Sequence, residues 1–279
     1  MTDATLAHVR RTCAEGRYFP YDDWRDRLFV PPSIFLVWVF VRLGWSGNAV
    51  SWLSGAVAAA GGVLLASDDP RLVALGSFGY MAFYFLDYVD GGVARYRGQS
   101  SVSGQYVDWI MHVIAAVAVA SGLFAGALTA TGAWIIPFGV LTVVASALAL
   151  DRFALAWFSI CMRHQQQQVN GSPVPPEGGG TAGRRSPLHR AVKIVSLATF
   201  HENYAIFVLP ALALGQLFSP YPLPDFRVVL VVIGGAVCFP FMVWEIQLMA
   251  SERRIETHYR KLFFSHEPPR LPDDHFLLK

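Results

Sequence analysis

Charged residues are scarce in this chain. Only 15% of its 279 residues are Asp, Glu, Lys or Arg, whereas soluble domains contain about a quarter. The net charge of +2 is too small to indicate nucleic-acid binding. Hydrophobic residues make up 54% of the sequence, and the mean hydropathy is +0.40. Scarce charge together with long apolar runs predicts an all-α integral membrane protein.

Cysteine is also rare, and the spacings that hold zinc are missing. The three cysteines, Cys13, Cys161 and Cys238, are far apart in the sequence. They predict neither a disulfide framework nor a zinc site. A cleavable signal peptide is not expected, because residues 1–27 are polar and the first apolar run begins near Leu28.

Apolar segments of about 20 residues, the length that crosses a bilayer, occur repeatedly. Six spans are predicted, at residues 48–66, 71–93, 104–127, 131–161, 189–217 and 226–250. The shorter run at 29–41 has two prolines and flanking arginines, which predicts an amphipathic interfacial helix. A seventh, short span is the alternative. We therefore predict an arm at 1–47 with this helix, a six-transmembrane-helix bundle at 48–250 and a tail at 251–279.

Basic residues concentrate on one side of the predicted membrane. They lie in the arm, in the loops after the second and fourth spans and in the tail. The positive-inside rule then places both termini in the cytoplasm. Residues 164–186 are polar and rich in Gly and Pro, and they predict a flexible cytoplasmic loop. We expect a multi-pass protein of the bacterial inner membrane.

Three aspartates and a histidine interrupt the apolar sequence where the second and third spans meet. Asp87 and Asp90 are three residues apart, and Asp108 and His112 are four apart. Residues at these spacings share a helix face, so the two pairs are expected to face each other at the cytoplasmic end. Crowded carboxylates need a cation, and oxygen ligands suit Mg²⁺, Mn²⁺ or Ca²⁺. The cluster therefore predicts a metal site suited to a phosphate or pyrophosphate group.

The segment DYVDGGVARYRGQSSVSGQYVDWIMH resembles the signature of the CDP-alcohol phosphotransferases, D-x2-D-G-x2-A-R-x8-G-x3-D-x3-D. The matching positions are Asp87, Asp90, Gly91, Ala94, Arg95, Gly104 and Asp108. The resemblance implies that an acceptor hydroxyl attacks the β-phosphorus of a CDP-linked donor, often CDP-diacylglycerol, and that CMP leaves. It also implies a cytoplasmic site and, together with small-residue stretches that favour close helix packing, a homodimer.

The resemblance assigns roles to the matched positions. The implied metal ligands are Asp87, Asp90 and Asp108, with His112 as a further candidate and Mg²⁺ or Mn²⁺ as the ion. Asp108 and His112 are also the candidate catalytic residues. The residues implied to bind the CDP donor are Asn48, Gly91, Ala94, Arg95 and Gly104. Asn48 is also the expected N-cap of the first span.

The last signature position departs from the pattern, because His112 stands where the family has an aspartate that serves as general base and metal ligand. Histidine is a competent base near neutral pH, and as a ligand it suits Zn²⁺ or Mn²⁺ better than Mg²⁺. Three interpretations stay open. His112 is the base of an active enzyme, defines a subfamily with another acceptor, or marks an inactive or engineered relative.

Polar residues of the predicted fifth span are candidates for binding the acceptor alcohol. Arg190 and Lys193 could hold a phosphate, while His201 and Glu202 could bond a head group. Alternatively, these polar side chains are only solvated at the membrane interface, and the basic ones anchor the span on its cytoplasmic side.

We predict a transferase of phospholipid biosynthesis that moves a phosphatidyl or phospho-alcohol group to a small alcohol. A non-catalytic relative that binds a nucleotide lipid is the first alternative. An ion-coupled transporter is the second, although transporters place such groups near the middle of the membrane.

Overall fold

The computed structural model describes residues 5–15, 24–148, 187, 191 and 202–251. Every regular element in these ranges is a helix, which confirms the prediction of an all-α protein. The predicted loop at 164–186 and the tail beyond Ser251 lie outside the described residues.

Nine helices follow one another along the described parts of the chain. They are α1 Leu6–Glu15, α2 Trp24–Arg42, α3 Gly47–Leu65, α4 Pro70–Tyr96, α5 Val102–Thr131, α6 Ala133–Leu148, α7 Glu202–Phe218, α8 Phe226–Ile233 and α9 Phe239–Ser251. The first turn of α6 is a 3-10 turn, and a π-helical turn at Gly234–Cys238 links α8 to α9.

Four stretches within the described residues are long and apolar enough to cross a membrane. They are Gly47–Leu65, Pro70–Tyr96, Ser103–Thr131 and Phe226–Gln247. These match four of the six predicted spans and support a membrane protein. The predicted spans at 131–161 and 189–217 are described only in part, as α6 and α7.

A close approach of two backbones joins α3 to α4. A Cβ atom added at Gly76 would lie 2.7 Å from the carbonyl oxygen of Gly61. A Cβ atom added at Gly79 would lie 2.8 Å from the Cα of Gly61. Only glycine permits this distance, as in the small-residue interfaces of membrane helices. The two helices are thus held in a tight antiparallel pair.

The start of α3 corrects one prediction from the sequence. The N-cap is Ser46, whose backbone is extended and whose hydroxyl accepts a hydrogen bond from the Ala49 amide at 3.2 Å. Asn48, the predicted cap, already lies inside the helix. Both residue types are good caps, so the choice depended on where the chain turns into the helix. Asn48 is thereby free of a capping role.

An apolar cluster packs around the end of α4 that carries the aspartates. Val9 of α1, Val37 of α2 and Val93 of α4 are at most 1% exposed and belong to one buried cluster. The thiol of Cys13 donates to the Gly92 carbonyl at 3.7 Å. The predicted interfacial segment 29–41 therefore lies within a longer helix, α2, that packs on α4. The van der Waals contacts of these side chains hold α1, α2 and α4 together.

The chain divides into two compact units after Val119, within α5. The predicted signature lies entirely in the first unit. In the second unit, the guanidinium of Arg227 bonds the carboxylate of Asp225 at 2.6 Å, and Thr142 donates to the Val231 carbonyl at 2.8 Å. The Thr142 contact connects α6 with α8, whereas the Arg227–Asp225 pair lies at the start of α8 itself.

Candidate active site

The hairpin of α4 and α5 brings two aspartates and the histidine together. His112 Nε2 lies 2.9 Å from Asp87 Oδ1 on α4 and 3.5 Å from Asp108 Oδ1, one turn away on α5. One potential ligand atom from each residue lies within 4.8 Å of the other two. Two carboxylates and an imidazole nitrogen at this spacing fit a divalent ion.

The three-residue group is partly closed to solvent. The side chain of His112 is 14% exposed, that of Asp87 is 23% exposed and that of Asp108 is 34% exposed. The ring of Phe83 meets the imidazole edge to face, with centroids 5.1 Å apart. The Phe83 ring thus covers one side of the group. Asp108 is its most exposed side chain and the one that a ligand reaches most easily.

Asp90, a predicted metal ligand, is not part of this three-residue group and bonds α3 instead. Its Oδ2 accepts a hydrogen bond of 2.5 Å from the hydroxyl of Ser51 on α3. Both residues are buried, at 6% and 3% exposure. A serine that donates to a buried carboxylate fixes the direction of that carboxylate, because the pair has no competing water.

Ser51 was not among the candidate residues from the sequence. The sequence feature that could have indicated Ser51 is its hydroxyl within an apolar span. Ser51 comes three residues after Asn48 and lies on the same face of α3. Serine is common in such spans as a small packing residue. Only the hydrogen bond to Asp90 distinguishes it from Ser54, which donates to the carbonyl of Ser51 on its own helix.

Two predicted donor-binding residues from different helices lie beside each other. A Cβ atom added at Gly104 of α5 would lie 3.5 Å from Asn48 Oδ1 of α3. A Cβ atom added at Gly47 would lie 2.9 Å from the Cβ of Ala94, so the start of α3 touches α4 at the signature. The structure therefore brings Asn48, Ala94 and Gly104 around the same helix ends.

Arg95 differs from its neighbour Arg97. The guanidinium of Arg95 lies along its own helix, with one amino group 3.1 Å from the position of a Cβ atom at Gly91. Its buried Nε has no hydrogen-bond partner within the described part of the chain. Arg97 instead donates to the Val41 carbonyl at 3.1 Å. Arg97 thus ties α4 to α2 through its terminal amino group, although its own Nε, like that of Arg95, has no hydrogen-bond partner among the described residues.

The structure does not test the predicted acceptor-binding residues. Arg190, Lys193 and His201 lie outside the described residues, and Glu202 is described only as the first residue of α7.

Comparison with known proteins agrees with the signature. A sequence profile of the CDP-alcohol phosphatidyltransferase family matches residues 45–238. Comparison with curated protein sequences gives no match. The matched range runs from the turn before α3 to the end of the π-helical turn, and it contains every residue of the signature and His112.

Two solved structures of phosphatidylinositol phosphate synthase (PgsA1) from Mycobacterium tuberculosis are similar to the chain. The apo form is 17% identical, with a TM-score of 0.48, and the match covers 79% of this chain and 97% of that one. The complex with manganese and citrate is also 17% identical, with a TM-score of 0.45, over 88% of this chain and 98% of that one.

Proposed function

Because the chain belongs to the CDP-alcohol phosphatidyltransferase family, we propose that it transfers a phosphatidyl or phospho-alcohol group from CDP-diacylglycerol, or another CDP-alcohol, to a small alcohol. Membership supports a transferase of phospholipid synthesis that depends on a divalent metal. The observation that carries the finer proposal is the convergence of Asp87, Asp108 and His112 beside the matched signature.

The proposed metal ligands are the two carboxylates of this group, with Asp90 and His112. Like-charged carboxylates in a poorly hydrated helix pair repel each other unless a cation lies between them. A bound Mg²⁺ or Mn²⁺ would relieve this repulsion and polarise the pyrophosphate of the donor. Ser51 would keep Asp90 directed by its hydrogen bond.

The proposed donor site surrounds the matched glycines. Gly104 leaves space for the nucleotide beside Asn48, and Gly91 leaves the space in which the guanidinium of Arg95 lies. Arg95 has a buried Nε that can donate to a phosphate oxygen, which is a strong hydrogen bond in this environment. Ala94 keeps the α3–α4 contact close. Arg190, Lys193, His201 and Glu202 stay the candidates for the acceptor side.

The transfer requires one proton to leave the acceptor. His112 or Asp108 accepts the hydroxyl proton as the acceptor oxygen forms its bond to the β-phosphorus of the donor. The bond from that phosphorus to the bridging oxygen then breaks, and CMP leaves with the electron pair. Asp87 lies 2.9 Å from His112 and so orients the imidazole.

A direct assay tests this proposal. The full chain is purified in detergent and incubated with CDP-diacylglycerol, Mg²⁺ or Mn²⁺ and a panel of small alcohols, and CMP release is measured. We expect release with at least one acceptor and none from Asp87→Asn. Asp68→Asn, on the exposed turn before α4, is the matched acid-to-amide control and should release CMP normally. If the native chain releases no more CMP than Asp87→Asn with any acceptor, the proposal fails.

His112 supports a second candidate function, a catalytically impaired member of the family that binds a nucleotide lipid. In this case the native chain binds CDP-diacylglycerol in a filter or fluorescence assay without releasing CMP. His112→Asp restores the signature and should then produce CMP release. Turnover by the native chain would exclude this candidate.

We also propose the membrane arrangement expected from the sequence. It has six spans at 48–250, an interfacial helix in the arm at 1–47, both termini in the cytoplasm of a bacterial inner membrane, and a homodimer. The basic loops support this orientation. A cysteine at Ser100, with the native cysteines replaced by serine, should react with an impermeant maleimide only from the cytoplasmic side. A cysteine at Ala133 should react only from the other side, and the reverse result would contradict the proposed orientation.

A further inference from the structure

We propose that His112 is a nitrogen ligand in the metal site and that it makes this chain prefer a first-row transition ion, such as Mn²⁺ or Zn²⁺, over Mg²⁺. The inference rests on the proposed function only in taking this group as the metal site. It concerns the one signature position at which the chain departs from the family pattern.

The placement of the imidazole carries the inference. Nε2, and not a carbon edge of the ring, faces both Asp87 and Asp108, at 2.9 and 3.5 Å. Two ligands of one small divalent ion, each about 2.1 Å from it, are separated by roughly 3 Å. The two distances therefore match neighbouring ligand atoms around a shared ion.

The direction of the ring is also restrained. The Phe83 ring is 1% exposed and meets the imidazole at an interplanar angle of 85°. His112 itself is 14% exposed on its side chain. A ring packed in this way keeps Nε2 directed at the carboxylates, which reduces the freedom lost when it binds an ion.

The chemistry of the ligand atoms decides which ion is preferred. Mg²⁺ takes oxygen ligands in a strict octahedron and keeps several waters, whereas imidazole suits transition ions. Replacing a carboxylate by a neutral imidazole also removes one negative charge, which weakens the attraction for a hard ion such as Mg²⁺. His112 thus lowers Mg²⁺ affinity more than Mn²⁺ or Zn²⁺ affinity.

A consequence concerns the proton of the acceptor alcohol. An Nε2 that donates its lone pair to an ion cannot accept a proton with the same pair. The carboxylate of Asp108 has two oxygens and is the most exposed side chain of the group, at 34%. The inference therefore assigns the proton to Asp108 and not to His112.

Competition binding provides the first test. Free Mn²⁺ is followed by its EPR signal while Mg²⁺ is added to the full chain in detergent. We expect the ratio of Mn²⁺ to Mg²⁺ affinity to fall by about tenfold or more in His112→Asp. The exposed histidine of α1 provides the matched control, and His8→Gln should leave the ratio unchanged. An unchanged ratio in His112→Asp would overturn the inference.

A spectroscopic test requires no turnover. The native chain is produced with ¹⁵N-labelled histidine, loaded with one equivalent of Mn²⁺ and examined by pulsed EPR for coupling to ¹⁵N. We expect the coupling in the native chain and in His8→Gln, and its loss in His112→Asp. Bound Mn²⁺ without ¹⁵N coupling, or no bound Mn²⁺, contradicts the inference. A chain that shows the coupling but releases no CMP would refute the proposed function alone.

Discussion

The two compact units each contain charged side chains within apolar helices, but they neutralise these charges differently. In the second unit, Arg227 is 6% exposed, and its guanidinium bonds both oxygens of Asp225 through Nε and a terminal amino group. Gly126 leaves the space that this guanidinium fills. Arg227 and Asp225 are opposite charges within one unit, so this pair requires nothing from outside the protein.

The first unit brings like charges together. Asp87 and Asp108 both face His112, and the buried Nε of Arg95 has no partner among the described residues. Crowded carboxylates repel each other, so they either bind a cation or become protonated. The pair at the start of α8 thus neutralises itself, whereas the group of Asp87, Asp108 and His112 is the proposed ligand site.

Removing one carboxylate from each region should produce the largest contrast. Asp87→Asn removes a proposed metal ligand, and we expect CMP release to fall by about a thousandfold or more. Its melting temperature should not fall, because the substitution also removes a repulsion between carboxylates. CMP release and thermal unfolding in detergent are measured on the same preparation. A fall in melting temperature with normal CMP release would reverse the assignment of the two regions.

Asp225→Asn should lower stability and leave CMP release unchanged, the opposite of Asp87→Asn. It leaves the buried guanidinium of Arg227 without its charge partner, which should lower the free energy of unfolding by about 3 kcal/mol. Unfolding is followed by denaturant titration in mixed micelles. Recovery of stability in the double variant Asp225→Asn, Arg227→Met would show that the unpaired charge, and not a change in packing, causes the loss. If the double variant is no more stable than the single one, this explanation is wrong.

A matched pair of glycine substitutions refines the comparison. A Cβ atom at Gly126 would overlap the Arg227 guanidinium, so Gly126→Ala should destabilise the chain by about 1–3 kcal/mol. A Cβ atom at Gly104 would meet only ordinary contacts at 3.4 and 3.5 Å, so Gly104→Ala should keep its stability. It should instead raise the KM for the CDP donor by about tenfold. Unchanged KM in Gly104→Ala would remove Gly104 from the donor site.

Ser51 is expected to act through Asp90. Ser51→Ala removes the 2.5 Å hydrogen bond to Asp90, and we expect CMP release to fall by about tenfold. Ser51→Thr keeps the hydroxyl and should restore most of the activity and of the Mn²⁺ affinity. A positioning role is supported if affinity for Mn²⁺ falls with activity in the alanine variant. An equal loss of CMP release in both variants would show that the packing of Ser51, and not its hydrogen bond to Asp90, matters for activity.

Local spacing was sufficient to predict the central hairpin. Asp87 and Asp90 share one helix face and Asp108 and His112 another, and a short link makes consecutive helices antiparallel. These rules depend on neighbours in sequence, and the structure places Asp87, Asp108 and His112 within reach of one ion. The cap of α3 was predicted wrongly because Ser46 and Asn48 have nearly equal capping preference.

Amino-acid order alone determined the helical class of the protein, its membrane character and the signature, because each depends on composition or on separations of a few residues. Tertiary structure decided which side chains satisfy one another. It paired Asp90 with Ser51, 39 residues away, and left Asp87 and Asp108 facing His112. Which side chains on different helices meet depends on how each helix is rotated and on how closely the backbones approach. The packing of glycines such as Gly61 against Gly76 sets the rotation and the distance of α3 and α4.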